Sequence, residues 1–340
     1  MKWKLLILFS GLWANSLVSQ IGGEPIYNFL NVPTSARQAA LGGEVLTLYD
    51  DVNQPVWNPS VINKGLHNHL AVNYLNFLAD INYGSVSYAH IFNRSIGAIH
   101  ANATYVNYGN FIGADERGYE TGKFSAGDFA FSLGYAYRLP KTKIYAGANL
   151  KFIQSKLENY TSNGMAFDFG LTYYDDNSPY VFSVVVRNLG YQFNVFDEKR
   201  EKLPLEIALG ASYKLTNVPL TWYININHLQ RWKIAVPNPS DSKTTLDGRT
   251  IPASISVFDN ALRHFTLGAE LFPNSGFNIR LGYNFRRGKE LKLTERRTFA
   301  GITAGFGLKT GWFKFNYAFT KYHPVSNTST FSIEINLAKQ

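Results

Sequence analysis

The chain has 340 residues, a formal charge of +9 from 33 Lys and Arg against 24 Asp and Glu, 25 Phe, 21 Tyr and 6 Trp, and no Cys. An apolar content of 45% excludes disorder. The lack of Cys excludes a disulfide framework, a thiolate nucleophile and a Cys metal site. No run of about 18 apolar residues follows residue 20, which excludes a helical membrane protein, and the spread-out positive charge does not argue for nucleic acid.

Residues 1–19 read as a secretory signal. Lys2 and Lys4 form a short basic region, and Leu5 to Val18 is mostly apolar. Ser19 precedes a cleavage point, with Ala14-x-Ser16 as the alternative. The stretch is too short for a membrane anchor and is interrupted by Ser10, Asn15 and Ser16.

Residues 20–69 carry compact signals instead of a regular period. Pro33-Thr34-Ser35-Ala36-Arg37 leads into a short helix over Ser35 to Leu41, capped by Thr34 or Ser35. Gly42-Gly43 stops it. Trp57-Asn58-Pro59-Ser60 marks a turn. Next to a barrel, a segment of this length fits inside the lumen as a hatch or plug.

From residue 70 onward apolar residues alternate with small or polar ones at period 2, which is a strand with two unlike faces. Fourteen such runs cover about 70–77, 81–92, 95–108, 124–138, 143–157, 163–174, 180–190, 203–215, 219–232, 263–272, 276–287, 298–309, 311–322 and 328–337. In the sixth, Met165, Phe167, Phe169 and Leu171 alternate with Ala166, Asp168, Gly170 and Thr172. Connections after even-numbered runs are very short. After odd-numbered runs most are longer, at about 109–123, 191–202, 233–262 and 288–297, with 78–80 as an exception. Short turns on one side and long loops on the other characterise an up-and-down transmembrane barrel, and the parity places both termini in the periplasm. A soluble sandwich would have shorter strands and a polar face richer in Lys and Glu than in Gly and Ala. The expected fold is an all-β, 14-stranded antiparallel outer-membrane β-barrel over residues 70–340.

With the apolar phase toward lipid, the lumen receives Lys151, Arg187, Arg280 and Lys314 with Asp168, Glu206, Glu270 and Glu334. Balanced signs suggest mutual pairing in a packed interior, although charges in a wet channel remain the alternative. Trp222, Trp232, Trp312, Tyr317 and Tyr322 lie near run ends and fit interfacial girdles.

Two connections are basic. One carries Arg286, Arg287, Lys289, Lys292, Arg296 and Arg297 against Glu290 and Glu295; the other carries Arg231, Lys233, Lys243, Arg249 and Arg263. Parity puts both outside the cell, where contact with lipopolysaccharide or an acidic partner is the functional reading and a solvated basic loop the plain one. His67-x-His69 supplies too few ligands for a metal site. No Gly-x-Ser-x-Gly elbow or phosphate loop occurs, so neither enzymatic activity, a cofactor nor a metal is expected.

Ser35-Ala36-Arg37, Leu41-Gly42-Gly43 and Trp57-Asn58-Pro59-Ser60, followed by fourteen strands, resemble the FadL-type superfamily, whose hatch holds an Asn-Pro-Ala element. Here Ser60 replaces the Ala. Within it, Ile26-Tyr27-Asn28-Phe29-Leu30-Asn31-Val32-Pro33 and Arg187-Asn188-Leu189-Gly190 resemble the PorV/PorQ branch of the type IX secretion system, PorQ-like members most. The resemblance spans essentially the whole mature chain. It implies a non-enzymatic anchor or docking platform in the cell-surface attachment complex, beside a PorZ-like surface protein, a PorU-like sortase and a PorV-like barrel. That complex trims secreted cargo and links it to lipopolysaccharide. The rivals are a FadL-like transporter of hydrophobic small molecules and a PorV-like cargo shuttle.

Overall fold

The computed structural model describes residues 25–93, 97–237, 243–244, 247, 250–251, 254–292, 299–323 and 326–339. The expected signal segment lies outside them, as do Arg249, Arg296 and Arg297.

Fourteen strands close into one antiparallel barrel. They are β1 (His69–Asn76), β2 (Asn82–Asn93), β3 (Gly97–Ala114), β4 (Glu120–Arg138), β5 (Ile144–Leu157), β6 (Tyr160–Tyr173) and β7 (Tyr180–Asn194). Then come β8 (Glu206–Lys214), β9 (Leu220–Ile226), β10 (Phe265–Leu271), β11 (Phe277–Asn284), β12 (Ile302–Thr310), β13 (Phe313–Thr320) and β14 (Thr328–Asn336). Closure comes from β1 against β14, with His69 opposite Asn336 and Asn76 opposite Ser329. The two-faced alternation is what makes the wall: on β6, Phe167, Phe169 and Leu171 are about half exposed on the outside, whereas Asp168 is 0% exposed inside. Closure pairs the backbone around the span, as a membrane requires, save along the upper half of β7.

The wall is uneven. Strands β2 to β7 run 12 to 19 residues, whereas β8 to β14 run 7 to 9. Residues 109–114 and 120–123, expected to be loop, continue the β3–β4 ladder, with Phe111 stacked on Phe124 at 5.3 Å. Gly and polar residues there blur the alternation, and a register shift between Asn107 and Asn110 breaks its phase. On the low side β9 stops at Ile226 rather than near 232, because His228 takes a left-handed turn (φ 59°). Helices α2 (Val257–Leu262) and α3 (Phe285–Glu290) lie in the two longest connections.

Residues 25–68 pack inside the barrel. They contain α1 (Ala36–Ala40) and four single 3-10 turns. Leu41, Leu46, Leu48, Ile62 and Leu66 are all but fully buried, each worth about 1.5–3 kcal/mol of apolar burial. Ile26, Tyr27 and Phe29 pack with Leu75, Tyr83, Val106, Ile153 and Leu203, and the Ile26 N–H donates to Lys202 O in the β7–β8 connection. The chain enters β1 at the short-turn mouth, where β14 ends, after residues 25–32 have lain at the opposite, long-loop mouth, with the Tyr27 hydroxyl beside Ser162.

Candidate functional site: the filled lumen

The motifs of the N-terminal segment meet the wall at paired glycines. Gly147 on β5 and Gly170 on β6 face each other across their ladder, and the Pro59-Ser60 turn lies directly on them. A Cβ on Gly147 would come within 2.6 Å of Ser60 N, and one on Gly170 within 3.0 Å of Ser60 Oγ. Gly268 on β10 and Gly282 on β11 pair in the same way, beneath Leu41-Gly42; a Cβ on Gly268 would reach Leu41 O at 3.0 Å. Absent side chains in the wall thus let two backbones touch.

Asn58, 0% exposed, fixes the turn. Its Nδ2 donates to Leu46 O at 2.8 Å and Thr172 Oγ1 at 3.0 Å, while its Oδ1 accepts from Ser60 N at 3.1 Å. Helix α1 ends at Leu41, followed by Gly42 (φ 101°) and Gly43 (φ 98°), a conformation favouring glycine. Ser35 occupies its N-cap position but its hydroxyl makes no capping bond, a departure from the sequence expectation.

The charges on the wall are joined by charges on the plug. Arg37 reaches Glu270 on β10 at 2.7 Å and Asp50 at 2.8 Å. Glu270 also takes Arg280 at 2.7 Å and the Tyr223 hydroxyl at 3.0 Å. Glu334 accepts Lys314 at 2.7 Å and His69 at 2.6 Å. Lys151 meets Asp168 at 2.8 Å, where Asn149 and the Asn188 N–H also donate. Asp50 sits at the mouth with its side chain half exposed; desolvation pushes its carboxyl up, but Arg37 and then Lys314 outweigh that and hold it at about 2.

Arg187 departs from the balanced pairing expected of it. It stands opposite Glu206 in the β7–β8 ladder, yet forms no ion pair among the described residues. Its guanidinium lies 3.9 Å over the Trp57 ring and donates to Asn31 Oδ1 at 3.1 Å. Glu206 turns instead to His228 at 2.6 Å. In His228, burial pushes the pKa down, but the bond and charge of Glu206, with Glu44, bring the net shift upward.

The basic connection does not form one open cationic surface. Arg286 pairs with Glu290 at 3.1 Å, and Lys289 with Asp259 at 3.1 Å. Arg287 points inward, 4.3 Å over the Tyr322 ring. Lys292 is exposed. In the second basic connection Arg263 is held by Asp259 at 2.8 Å. The aspartate and glutamate responsible come from α2 and α3, so one-dimensional charge counting overstated the excess. Tyr322 correspondingly lies inside, not in a girdle, whereas Trp222, Trp232 and Trp312 are exposed. His67 and His69 do not converge: His67 packs on His90 at 5.0 Å, and His69 is held by Glu334.

Above Arg187 the wall opens. β7 pairs with β8 only over Tyr180–Arg187, while its upper half pairs with β6 alone. Residues 201–204 turn in behind it, with the Glu201 N–H donating to Gln192 Oε1 at 2.8 Å and Asn188 Nδ2 to Pro204 O at 3.0 Å. Cavities of about 300 and 100 Å³ sit at the short-turn mouth, one beside His69, Trp312 and Glu334, the other beside Tyr49 and Tyr174.

No protein family matches the chain, and no curated protein matches it. Among solved structures it is similar to the toluene transporter TbuX of Ralstonia pickettii, with a TM-score of 0.52, 11% identity, and 89% of this chain and 96% of that one covered. It is also similar to the TodX monoaromatic hydrocarbon channel, with a TM-score of 0.50, 13% identity, and 89% and 97% covered.

Proposed function

We infer the function from a fold that is that of FadL-like outer-membrane barrels. We propose that the short-turn mouth faces the periplasm and the long-loop mouth the outside, and that the protein is a closed anchor and docking platform of the type IX attachment complex. The observation that carries this reading is the stitching of plug to wall. Arg37, Asn58 and Trp57 are each tied to a different stretch of wall by an ion pair, hydrogen bonds or a cation–π contact. Opening such a plug means separating buried charges, which costs several kcal/mol per pair. The Ser-Ala-Arg, Leu-Gly-Gly and Asn-Pro-Ser motifs that resemble the FadL-type superfamily, of which Ser-Ala-Arg is shared with the PorV/PorQ branch, make or flank these contacts. PorZ-like, PorU-like and PorV-like proteins are the implied partners.

A second reading is passage of hydrophobic small molecules. The fold shared with TbuX and TodX supports it more directly than it supports secretion, and so does the break between β7 and β8 beside the apolar cluster of Ile26, Tyr27 and Phe29. In that reading residues 25–32 yield the space to a ligand. The discriminating experiment is a gentle-detergent pull-down of the tagged protein from its own outer membrane, read by mass spectrometry. A sortase-like protein, a second FadL-like barrel or a large surface protein supports the platform. A lone barrel carrying an apolar ligand replaces it with transport.

A further inference from the structure

The outside of the wall holds a groove that neither reading uses. It has a volume of about 420 Å³ and lies across β3, β4 and β5 near the long-loop mouth. Its origin is local. The register shift between Asn107 and Asn110 puts an extra residue into β3, with Gly109 at φ 79°. Next to it, Ser125 and Gly127 leave β4 bare; a Cβ on Gly127 would come within 3.3 Å of the Tyr105 hydroxyl, so the Tyr105 ring lies along that gap.

The two ends of the groove differ in chemistry. Toward the membrane centre lie Tyr105 and Phe129, both exposed and continuous with the apolar outer band through Phe131 and Phe152. Toward the mouth lie Asn107, Asn110 and Lys156, with Gln154 level with Phe129 in the ladder. Lys156 stands beside Gly127 in the ladder and forms no ion pair among the described residues. Gln154 gives its amide to Asn163 at 3.2 Å, which leaves its carbonyl open, and Asn107 uses its carbonyl on Gly109 N, which leaves its amide open. The Asp128 carboxylate belongs to the lumen side, held by Tyr108 and Ser155. Lys123 projects on the same outer face farther out, opposite Ile112.

An aromatic floor at acyl depth, carboxamides above and beside it and an uncommitted ammonium at the rim match a lipid whose headgroup offers sugar hydroxyls and phosphate. We propose that this groove binds the phosphorylated glycolipid of the outer leaflet, a lipid A-type molecule, with Lys156 on a phosphate and Asn107, Asn110 and Gln154 on sugar hydroxyls. The proposal rests on the orientation given above and on neither functional reading.

The purified full-length barrel is incubated in maltoside detergent with bis-phosphorylated lipid A, and bound lipid is counted by native mass spectrometry, with phosphatidylglycerol as competitor. One lipid A is expected to stay on the wild type. Lys156→Glu, which reverses the charge, and Ser125→Trp, which fills the groove, are expected to cut its occupancy at least fivefold while heat-modifiability on gels stays normal; Lys156→Gln serves if either fails to fold. Equal retention by the folded variants overturns the proposal, as does displacement of lipid A by phosphatidylglycerol. Orientation is read separately. The chain has no Cys, so a Glu116→Cys variant gives one clean label; reaction with an impermeant maleimide on intact cells supports the orientation, and its failure overturns the proposal through the orientation alone.

Discussion

Arg37 and Glu270 are 233 positions apart and meet in a two-point contact, Nη2 to Oε2 at 2.7 Å and Nε to Oε1 at 3.1 Å. The fork geometry suits Arg and not Lys. Because Glu270 also holds Arg280 and Tyr223, one arginine of the plug completes a cluster that the wall only partly satisfies.

Replacing Arg37 by Ala therefore loosens the plug without opening the barrel. The cost is expected near the low end of the ~3–5 kcal/mol for breaking a buried pair, since Arg280 still neutralises Glu270. Single-channel recordings in planar bilayers should show openings absent from the wild type, with Arg37→Lys intermediate. A silent Ala variant with an unchanged unfolding midpoint would mean that the contact does not hold the plug.

Lys151 and Asp168 form a more isolated pair, both almost wholly buried within the wall. Lys151→Met leaves an uncompensated carboxylate and Asp168→Asn an uncompensated ammonium, each expected to cost about 3–5 kcal/mol. The double variant should be milder than the sum, with a coupling of at least ~1 kcal/mol. Urea unfolding of the four proteins in lipid vesicles measures it; additive losses would show that the pairing itself contributes nothing.

How much of this could be read from the chain differs by level. The strands were legible because lipid on one side and a packed lumen on the other impose period 2 on every one of them, and the connection lengths carry the up-and-down topology independently. Arg187 shows where that stops: its face follows from alternation, but its choice of Trp57 over the facing Glu206 depends on how the plug threads the lumen. Asp50, His69 and His228 joined the charge network without any signal of their own, since each lies in or beside an irregular segment that has no period. The basic connection misled for the opposite reason: Asp259 neutralises Lys289 across two separate connections.

Gly147 tests the plug–wall contact by shape instead of charge. A Cβ there meets the Pro59 and Ser60 backbone, which cannot rotate away as a side chain end could. Gly147→Ala is expected to cost about 1–3 kcal/mol as overpacking and to expose the Asn58 turn to limited proteolysis in the folded barrel. Gly84, whose added Cβ would meet nothing within 4 Å, is the matched control: Gly84→Ala should leave both readouts unchanged.

His228 is expected to give the barrel a pH dependence: burial, with the Arg286 charge beside it, pushes its pKa down, and Glu206 draws it up by more. It clasps Glu206 at 2.6 Å, and its folded pKa lies above the ordinary 6.5. A raised histidine value means that the clasp stabilises fully below pH 6.5 and that this contribution is lost as pH rises through the folded value. Asp50 has the opposite sign, with stabilisation present above 3.8 and lost only as pH falls toward about 2, so it stays constant over pH 5.5–8.5. The heat-modification midpoint should fall across that range in the wild type and flatten in His228→Gln. A variant that keeps the wild-type slope would assign the dependence to another group, and a flat wild type would mean that the clasp contributes nothing on folding.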